Sequence, residues 1–358
     1  MWFKRMNKKH LISTLVVIAI LVVIAMLSTE STNLPNLLKL IFIYSIAALA
    51  LNVVCGCLGE FVLGHGGFIL IGYTLGVLIM RFITNQFSSK FLKEFVYTYQ
   101  GDVLHPLGYA FIIGVVIVVA LLTGVIGLIV GLIALGRLKG DYLAIVTLGI
   151  SLIFVNICKN VEFLGGNGID ITKKMSTSPL LALIFLILTV FLILTFMKSR
   201  FGRNILACRD DNIAAEACGV PVNKTKVIAF TFASTFAGLA GALLAYTTPH
   251  DPTKFGQDTS ILFLIIIVLG GLGSLTGSII ASILIVLYEN WFCSQSWVPD
   301  FFANNPKIIY GIILVLIMLF RTSGILGNSE FTWKWFYKKI GKLKNKIFKK
   351  KVIKEEGK

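Results

Sequence analysis

The stretch Ile265–Ser282, IIIVLGGLGSLTGSIIAS, decides how many times this chain crosses a membrane. It lies within an apolar block over 259–290, and one membrane-spanning helix needs only about 20 residues. The glycines between Gly270 and Gly277 weaken a helix interior and allow a tight reversal of the chain. The sequence therefore predicts two short membrane segments over 259–290, joined at GGLGSLTG.

The composition around this block is that of a membrane protein. Of 358 residues, 56% are apolar and only 14% are charged, and the mean hydropathy is +0.87. Soluble proteins carry about 25% charged residues, so this chain cannot cover a surface that faces water. We therefore predict an all-α fold, a polytopic integral membrane helix bundle.

Further apolar blocks fall near 37–57, 66–83, 107–136, 142–158, 179–197, 227–248 and 307–320. The first apolar block, over 11–27, follows a basic start and has two interpretations. It is either a cleaved secretory signal or a retained first span, and its length and the lack of an A-x-A site favour the span. With the long block divided in two, the sequence predicts about ten membrane segments.

The positive charge indicates orientation rather than nucleic-acid binding. The formal net charge is +16, and the cations cluster in FKRMNKK near the N-terminus, in GRLKGD, in 198–226 and in the tail. The positive-inside rule places these stretches in the cytoplasm, which requires an even number of spans with both termini inside. We expect a permease domain over 1–330 and a basic cytoplasmic tail over 331–358, which either rests on anionic headgroups or is solvated.

The segment Ser199–Lys226, SRFGRNILACRDDNIAAEACGVPVNKTK, is unusually polar for this chain. Asp211 and its two neighbours are good N-cap residues, Gly219 suits a helix C-terminus, and a proline follows. A short helix is therefore predicted over Ile213–Cys218, preceded by another helical turn. Since a simple connection needs only about five residues, we interpret this compact element as a docking site for a partner protein.

Four stretches together resemble the permeases of branched-chain amino acid ABC importers, in their LivM-like branch. They are the segment above with the helix that follows it, NVVCGCLGEFVLGHGGFILIGYTLGVL, RLKGDYLAIVTLGI and IIIVLGGLGSLTGSIIAS. The resemblance implies a permease of the prokaryotic cytoplasmic membrane that pairs with a second, different permease. It also implies two ATPase subunits, which bind the ATP, and an extracytoplasmic substrate-binding protein.

The resemblance also implies roles for residues of this chain. Contact with the ATPase is expected at positions of the cytoplasmic segment: Arg203, Arg209, Asp211, Ile213, Ala215, Glu216 and Gly219. A place along the pathway or at a gate is expected for Gly64, His65, Phe68, Gly72, Gly271 and Gly273. Contact with the binding protein is expected at Gly165, Gly166 and Asn167.

The pathway residues have a second interpretation that the sequence leaves open. His65 is either a gate residue or a polar side chain that bonds a neighbouring carbonyl inside the bundle. The glycine clusters either break helices beside the pathway or let helices pack closely. The outer loop around Gly165 is either a contact with the binding protein or a plain turn.

Some positions depart from the family's motifs. The outer loop has LGGNGI where the family has TGGPNGI, no acidic residue follows VTLGI, and Cys55, Cys57 and Glu60 are unusual in the first motif. These are pore-side or loop positions, so they leave open a substrate other than leucine, isoleucine or valine. The resemblance implies branched-chain amino acids as the leading substrate, and the alternatives are urea or short amides, nucleosides and sugars.

Several classes of protein are disfavoured by what the sequence lacks. It has no G-x-x-x-x-G-K-[ST] motif, so the chain itself should not hydrolyse ATP. No span interior has the chain of ionisable residues that ion-coupled carriers use, which makes such a carrier the less favoured alternative. No nucleophile and base stand out as an enzyme site, and the six cysteines have no zinc-ligand spacing. We expect no cofactor, metal or catalytic residue in this chain.

Overall fold

The computed structural model of the chain describes residues 34–86, 106–136, 138, 140–161, 178–248, 251–293, 309–312, 315–316 and 319. Within these ranges the secondary structure is helical and contains no strand. The α-helices are α1 (Leu34–Asn52), α2 (His65–Gln86), α3 (Pro106–Ala134), α4 (Asp141–Asn160), α5 (Pro179–Lys198), α6 (Arg200–Asp210), α7 (Asn212–Ala217), α8 (Val222–Ala245), α9 (Gln257–Gly270) and α10 (Leu275–Leu287). The all-helical prediction is confirmed for the described part of the chain.

Length and composition identify which helices could cross a membrane. Five are long and apolar enough: Leu34–Leu58, Ala110–Ala134, Asp141–Asn160, Pro179–Lys198 and Val222–Ala245. Three shorter apolar helices are His65–Met80, Gln257–Gly270 and Leu275–Asn290. These eight correspond to eight of the ten predicted segments. The segment over 11–27 lies outside the described residues, and that over 307–320 is described only in part.

Helix α8 forms the centre of the bundle and packs against α1, α2 and α3. Small residues allow this close approach. A Cβ atom at Gly72 would overlap the backbone of Gly238, and one at Gly241 would overlap the backbone of Ile69. Because apolar side chains gain little by leaving lipid, helices in a bilayer associate through such close backbone contacts.

The outer faces of α3, α4 and α5 carry large apolar side chains that the described chain leaves exposed. Leu121, Ile133, Ile153 and Phe191 are each more than half exposed. An apolar surface of this extent is unusual for a soluble monomer and is the surface that a bilayer covers. The outer layer of the bundle therefore fits the predicted membrane protein.

The predicted reversal within 259–290 is confirmed. Helix α9 ends at Gly270 and α10 starts at Leu275. The turn between them holds Gly271 at φ 112° and Gly273 at φ 87°, backbone angles that residues with a Cβ rarely adopt. Ser274 then caps α10, since its hydroxyl accepts a bond from the Gly277 backbone N–H at 3.1 Å.

Candidate functional site

The polar segment after α5 folds as two helices, and its caps are those that the sequence indicates. The Asp211 carboxylate caps α7 by accepting bonds from the backbone N–H groups of Ile213, at 2.8 Å, and Ala214, at 3.2 Å. At the other end Gly219 has φ 80°, and the Val220 N–H donates to the Ala215 carbonyl. Helix α7 spans Asn212–Ala217, one residue earlier at each end than predicted.

The helix before it is longer than the single turn that the sequence suggests. Helix α6 has 11 residues and starts beside the end of α5, where Gly202 touches the backbone of Met197. Its buried face includes Ile205 and Cys208, while Arg203 and Arg209 are exposed. This amphipathic helix lies along the end of the bundle, in contact with α5, α8 and the end of α1.

The residues expected to contact an ATPase differ in exposure. Ile213 is 82% exposed, and Glu216 and Gly219 are also exposed. Ala215 is buried, so its side chain packs inside the chain and is not available to a partner. Ile213 and Glu216 therefore lie on the face of α7 that is open to a partner, and contact with an ATPase stays a prediction.

Three elements meet where the polar segment touches the bundle. Lys226, in the first turns of α8, forms an ion pair with Glu60 in the link between α1 and α2. The Arg209 side chain of α6 lies over Gly59 and Gly273. Burial raises the pKa of the Cys208 thiol, and the nearby Lys226 charge opposes that rise. We call Glu60, Lys226 and Arg209 the inner junction.

A buried polar ladder fastens α1 to the reversal, and the sequence did not predict it. The Asn52 side-chain oxygen Oδ1 accepts a bond from the Gly273 N–H at 2.8 Å. The Asn52 amide donates to the Ser274 carbonyl at 3.0 Å and to the Ser278 hydroxyl at 3.1 Å. Higher on the same helices, the Ser45 and Ser282 hydroxyls lie 2.8 Å apart. The available signal was the spacing of serines at 274, 278 and 282 on an apolar helix.

The predicted pathway residues His65 and Phe68 are buried. His65 Nε2 lies 2.9 Å from the Ala47 carbonyl oxygen, and its ring meets Phe263 edge-on at 5.9 Å. Phe68 meets Phe230 edge-on at 5.3 Å. These contacts are those of the second interpretation of His65, a polar side chain that bonds a neighbouring carbonyl, and a role at a gate stays a prediction.

The glycines expected along the pathway also lie in close contacts. A Cβ at Gly64 would overlap the backbone of Thr147, as one at Gly72 would overlap that of Gly238. The start of α2 lies inside the bundle, where the Gly66 N–H donates to the Ser260 hydroxyl at 2.9 Å. Helix α2 starts at His65, after the link that follows α1, and its glycines pack closely, as the second interpretation required; a place beside the pathway stays a prediction.

The residues expected to contact a binding protein are not among those that the structure describes. Gly165, Gly166 and Asn167 lie outside the described residues, so contact with a binding protein stays a prediction. Over the ranges that the structure describes, no three His, Cys, Asp or Glu side chains converge in a way that could hold a metal ion. Four of the six cysteines, Cys55, Cys57, Cys158 and Cys208, are buried.

Residues 33–318 match the model of a protein family described as the branched-chain amino acid transport system permease component. The chain is 31% identical, over 328 residues, to the high-affinity branched-chain amino acid transport system permease protein LivM of Escherichia coli K12. That alignment covers 81% of this chain and 69% of the relative.

More distant relatives extend the comparison. The chain is 24% identical over 345 residues to a probable branched-chain amino acid transport permease protein LivM of Methanocaldococcus jannaschii. That alignment covers 85% of this chain and 96% of the relative. It is 23% identical over 172 residues to the LivH permease of Escherichia coli K12, which covers 48% and 54% of the two chains. No solved structure matches the chain.

Proposed function

The chain belongs to the permease family of branched-chain amino acid transport systems, and from this membership we propose that it carries branched-chain amino acids into the cell. It is a permease subunit of an ABC importer. The family's relatives are named for transport of these amino acids, which supports the same substrate class here. The ATP that drives the movement is bound by separate ATPase subunits.

One observation carries the link to an external ATPase: the capped two-helix segment Arg200–Ala217 at one end of the bundle. Its inner face, with Ile205 and Ala215, is buried against the chain, while Ile213 and Glu216 are exposed. We propose that the exposed side docks in a cleft of an ATPase subunit. A segment that is anchored on one side and exposed on the other can pass a partner's movement to the bundle.

The topology that accompanies this function follows the same proposal. We propose ten membrane segments with both termini in the cytoplasm, within a permease domain over 1–330 and a basic tail over 331–358. Glu60 forms an ion pair with Lys226, and Arg209 lies over Gly273. These contacts support the placement of the α1–α2 link, the polar segment before α8 and the α9–α10 turn on the same side of the membrane. That side is the one where basic residues cluster, which the positive-inside rule assigns to the cytoplasm.

The remaining partners are proposed from the family. A second permease, different from this chain, would complete the pathway, since the family includes both LivM and LivH proteins. An extracytoplasmic binding protein would deliver the substrate to the outer loop at Gly165, Gly166 and Asn167. The cytoplasmic membrane of a prokaryote is the corresponding location.

Reconstitution tests the proposal directly. The chain would be assembled in lipid vesicles with its second permease, two ATPase subunits and the binding protein, and uptake of labelled leucine would be measured. We expect uptake that requires ATP on the side of the ATPase subunits and persists when ionophores collapse the membrane potential. Uptake by the isolated chain on a proton or sodium gradient would contradict the proposal. Competition by urea, nucleosides or sugars would identify a different substrate.

A further inference from the structure

The ion pair between Glu60 and Lys226 is buried, which is unusual for two charges at the end of a bundle. The Lys226 and Glu60 side chains are only 5% and 12% exposed. By contrast, the local pair of Lys254 and Asp251 has a separation of 3.8 Å and side chains that are 71% and 31% exposed. Charges that leave water lose hydration, and removal of one partner leaves the other charge buried and uncompensated.

The pair joins two elements that are 166 residues apart in sequence. Glu60 lies in the non-helical link that follows the π-helical turn Val53–Leu58 at the end of α1. Lys226 lies in the first turns of α8, directly after the polar segment that we propose as the ATPase dock. The attachment therefore lies at the point where the docking segment enters the membrane bundle.

Arg209 adds a second contact from the docking segment to the same place. A Cβ atom on Gly59 would stand 3.2 Å from Arg209 Cγ, and one on Gly273 would stand 3.4 Å from Arg209 Nη1. Both positions are glycines, so no side chain separates Arg209 from the turns after α1 and before α10. Contact of Arg209 with the ATPase stays a prediction, since its side chain is exposed as well as lying over these two glycines.

The ladder at Asn52 links the two turns that Arg209 contacts. Because Asn52 bonds to the backbone of Gly273 and Ser274, a displacement of one turn carries α1 and α10 together. A displacement of α6 would therefore act on α8, which it contacts directly, and on α1 and α10 through the turns under Arg209, while the Glu60–Lys226 pair fastens α8 to the turn after α1.

We propose that the inner junction, formed by Glu60, Lys226 and Arg209, is the joint that transmits movement of the docking segment to the membrane helices. Glu60 and Lys226 are positioning residues, and the integrity of their ion pair sets how much substrate is moved for each ATP hydrolysed. This inference rests on the proposed function. A buried ion pair favours one packing geometry, because each charge is destabilised when its partner is displaced.

Reversal of each charge in the ion pair, and exchange of the two residues, test the joint. In the complete reconstituted transporter, uptake of labelled leucine and hydrolysis of ATP would be measured in the same vesicles for Glu60→Lys, Lys226→Glu and the double exchange. We expect each single reversal to lower the ratio of uptake to hydrolysis by roughly 3- to 30-fold. The double exchange should recover most of the ratio because it restores opposite charges. Lys254→Glu, at the exposed pair, is the matched control and should leave the ratio unchanged.

The ratio of leucine uptake to ATP hydrolysis does not depend on how many complexes assemble. A substitution that only lowers the amount of assembled complex would therefore leave this ratio unchanged. Wild-type ratios in both single reversals, or no recovery in the exchange, would overturn the proposal. If the reversals do not assemble, Glu60→Gln decides, because it keeps the shape of the side chain and removes only the charge. A normal ratio in Glu60→Gln would then overturn the joint, and a lowered ratio would support it.

Measurements on the wild-type complex test the proposed substrate separately from the joint. Leucine uptake that fails in the wild-type complex contradicts the proposed substrate. The joint is then judged by the stimulation of ATP hydrolysis by the binding protein, which the single reversals should weaken and the exchange should restore. Equal stimulation in wild type and single reversals would overturn the joint whatever the substrate.

Discussion

At the scale of single residues, Asn52 holds the α9–α10 reversal against α1 with both ends of its amide group. The side chain is fully buried, and its three bonds reach the Gly273 N–H, the Ser274 carbonyl and the Ser278 hydroxyl. A buried amide is stable only when its donors and acceptor are satisfied. Here one side chain therefore determines where a chain reversal lies.

We expect Asn52→Ala to lower the free energy of unfolding by about 1–3 kcal/mol, because it leaves buried backbone groups of the turn without partners. The midpoint of unfolding of the purified chain in detergent measures this change. Asn156→Ala is the matched control, since Asn156 is exposed and its side-chain amide donates to the Leu152 carbonyl of its own helix. Equal effects of the two substitutions would contradict the importance of the ladder.

Two glycines in apolar helices differ sharply in their surroundings, which gives a second residue-scale prediction. Gly72 touches the Gly238 backbone, whereas a Cβ atom on Gly149 would meet nothing within 4 Å. We expect Gly72→Ala to destabilise the bundle by about 1–3 kcal/mol through overpacking. Gly149→Ala should be neutral or stabilising by up to about 1 kcal/mol, because alanine favours helix. Thermal unfolding of the two variants compares them, and a destabilised Gly149→Ala would be unexpected.

At the scale of elements, the docking segment depends on the cap at the start of α7. We expect Asp211→Ala to destabilise this helix by about 1 kcal/mol, which lowers the affinity for the ATPase subunit by up to roughly fivefold. A binding titration with the purified ATPase measures the affinity. Asp210→Ala removes the same charge and leaves both cap bonds of Asp211 in place. A larger loss for Asp210→Ala than for Asp211→Ala would argue against the cap.

The α9–α10 reversal is the element whose geometry glycine alone accommodates well. Gly271 has φ 112° and ψ 123°, so we expect Gly271→Ala to lower the free energy of unfolding by about 1–3 kcal/mol and to reduce uptake. Gly256→Ala, at the other end of α9, is the control because Gly256 has φ −79° and open space around it. Unfolding midpoints and uptake measured together test this, and a normal Gly271→Ala variant would contradict it.

The elements that the sequence predicted well are those with local signals. Glycine spacing marked the reversal between Gly270 and Gly277, and the cap residues Asp211 and Gly219 marked the ends of α7. The length of α6 was underestimated, because its sequence carries no local stop signal and tertiary packing of Ile205 and Cys208 supports the extra turns. Propensity is a weak guide where burial decides.

At the scale of the whole molecule, the native cysteines offer a test of orientation. Cys218 is exposed directly after the docking segment, and Cys293 lies beyond the far end of α10. In a Cys293→Ser background, a membrane-impermeant maleimide should label Cys218 in inverted vesicles and not in intact cells. In a Cys218→Ser background, any labelling of Cys293 should occur from the outside. Labelling of Cys218 on intact cells would overturn the proposed topology.

The candidate site could be predicted from the sequence only in part, and the reason is the separation of its members along the chain. The docking segment is continuous, so its composition identified it. The partners Glu60 and Lys226, like Asn52 and Gly273, are brought together only by the fold. Single-sequence patterns contain no information about such pairs, although the unusual Glu60 was visible as a departure from its motif.

Helix α8 is one uninterrupted rod of 24 residues, with Lys226 near its first turn. Just past its end, the Thr248 carbonyl accepts a bond from the Tyr73 hydroxyl. At 1.5 Å per residue the rod is about 36 Å long, so an inclination of about 5° at one end shifts the other by about 3 Å. A shift of that size is enough to make or break the Tyr73 bond. A tilt of α8 at Lys226 can therefore alter the Tyr73 bond at its other end without any bending of the helix.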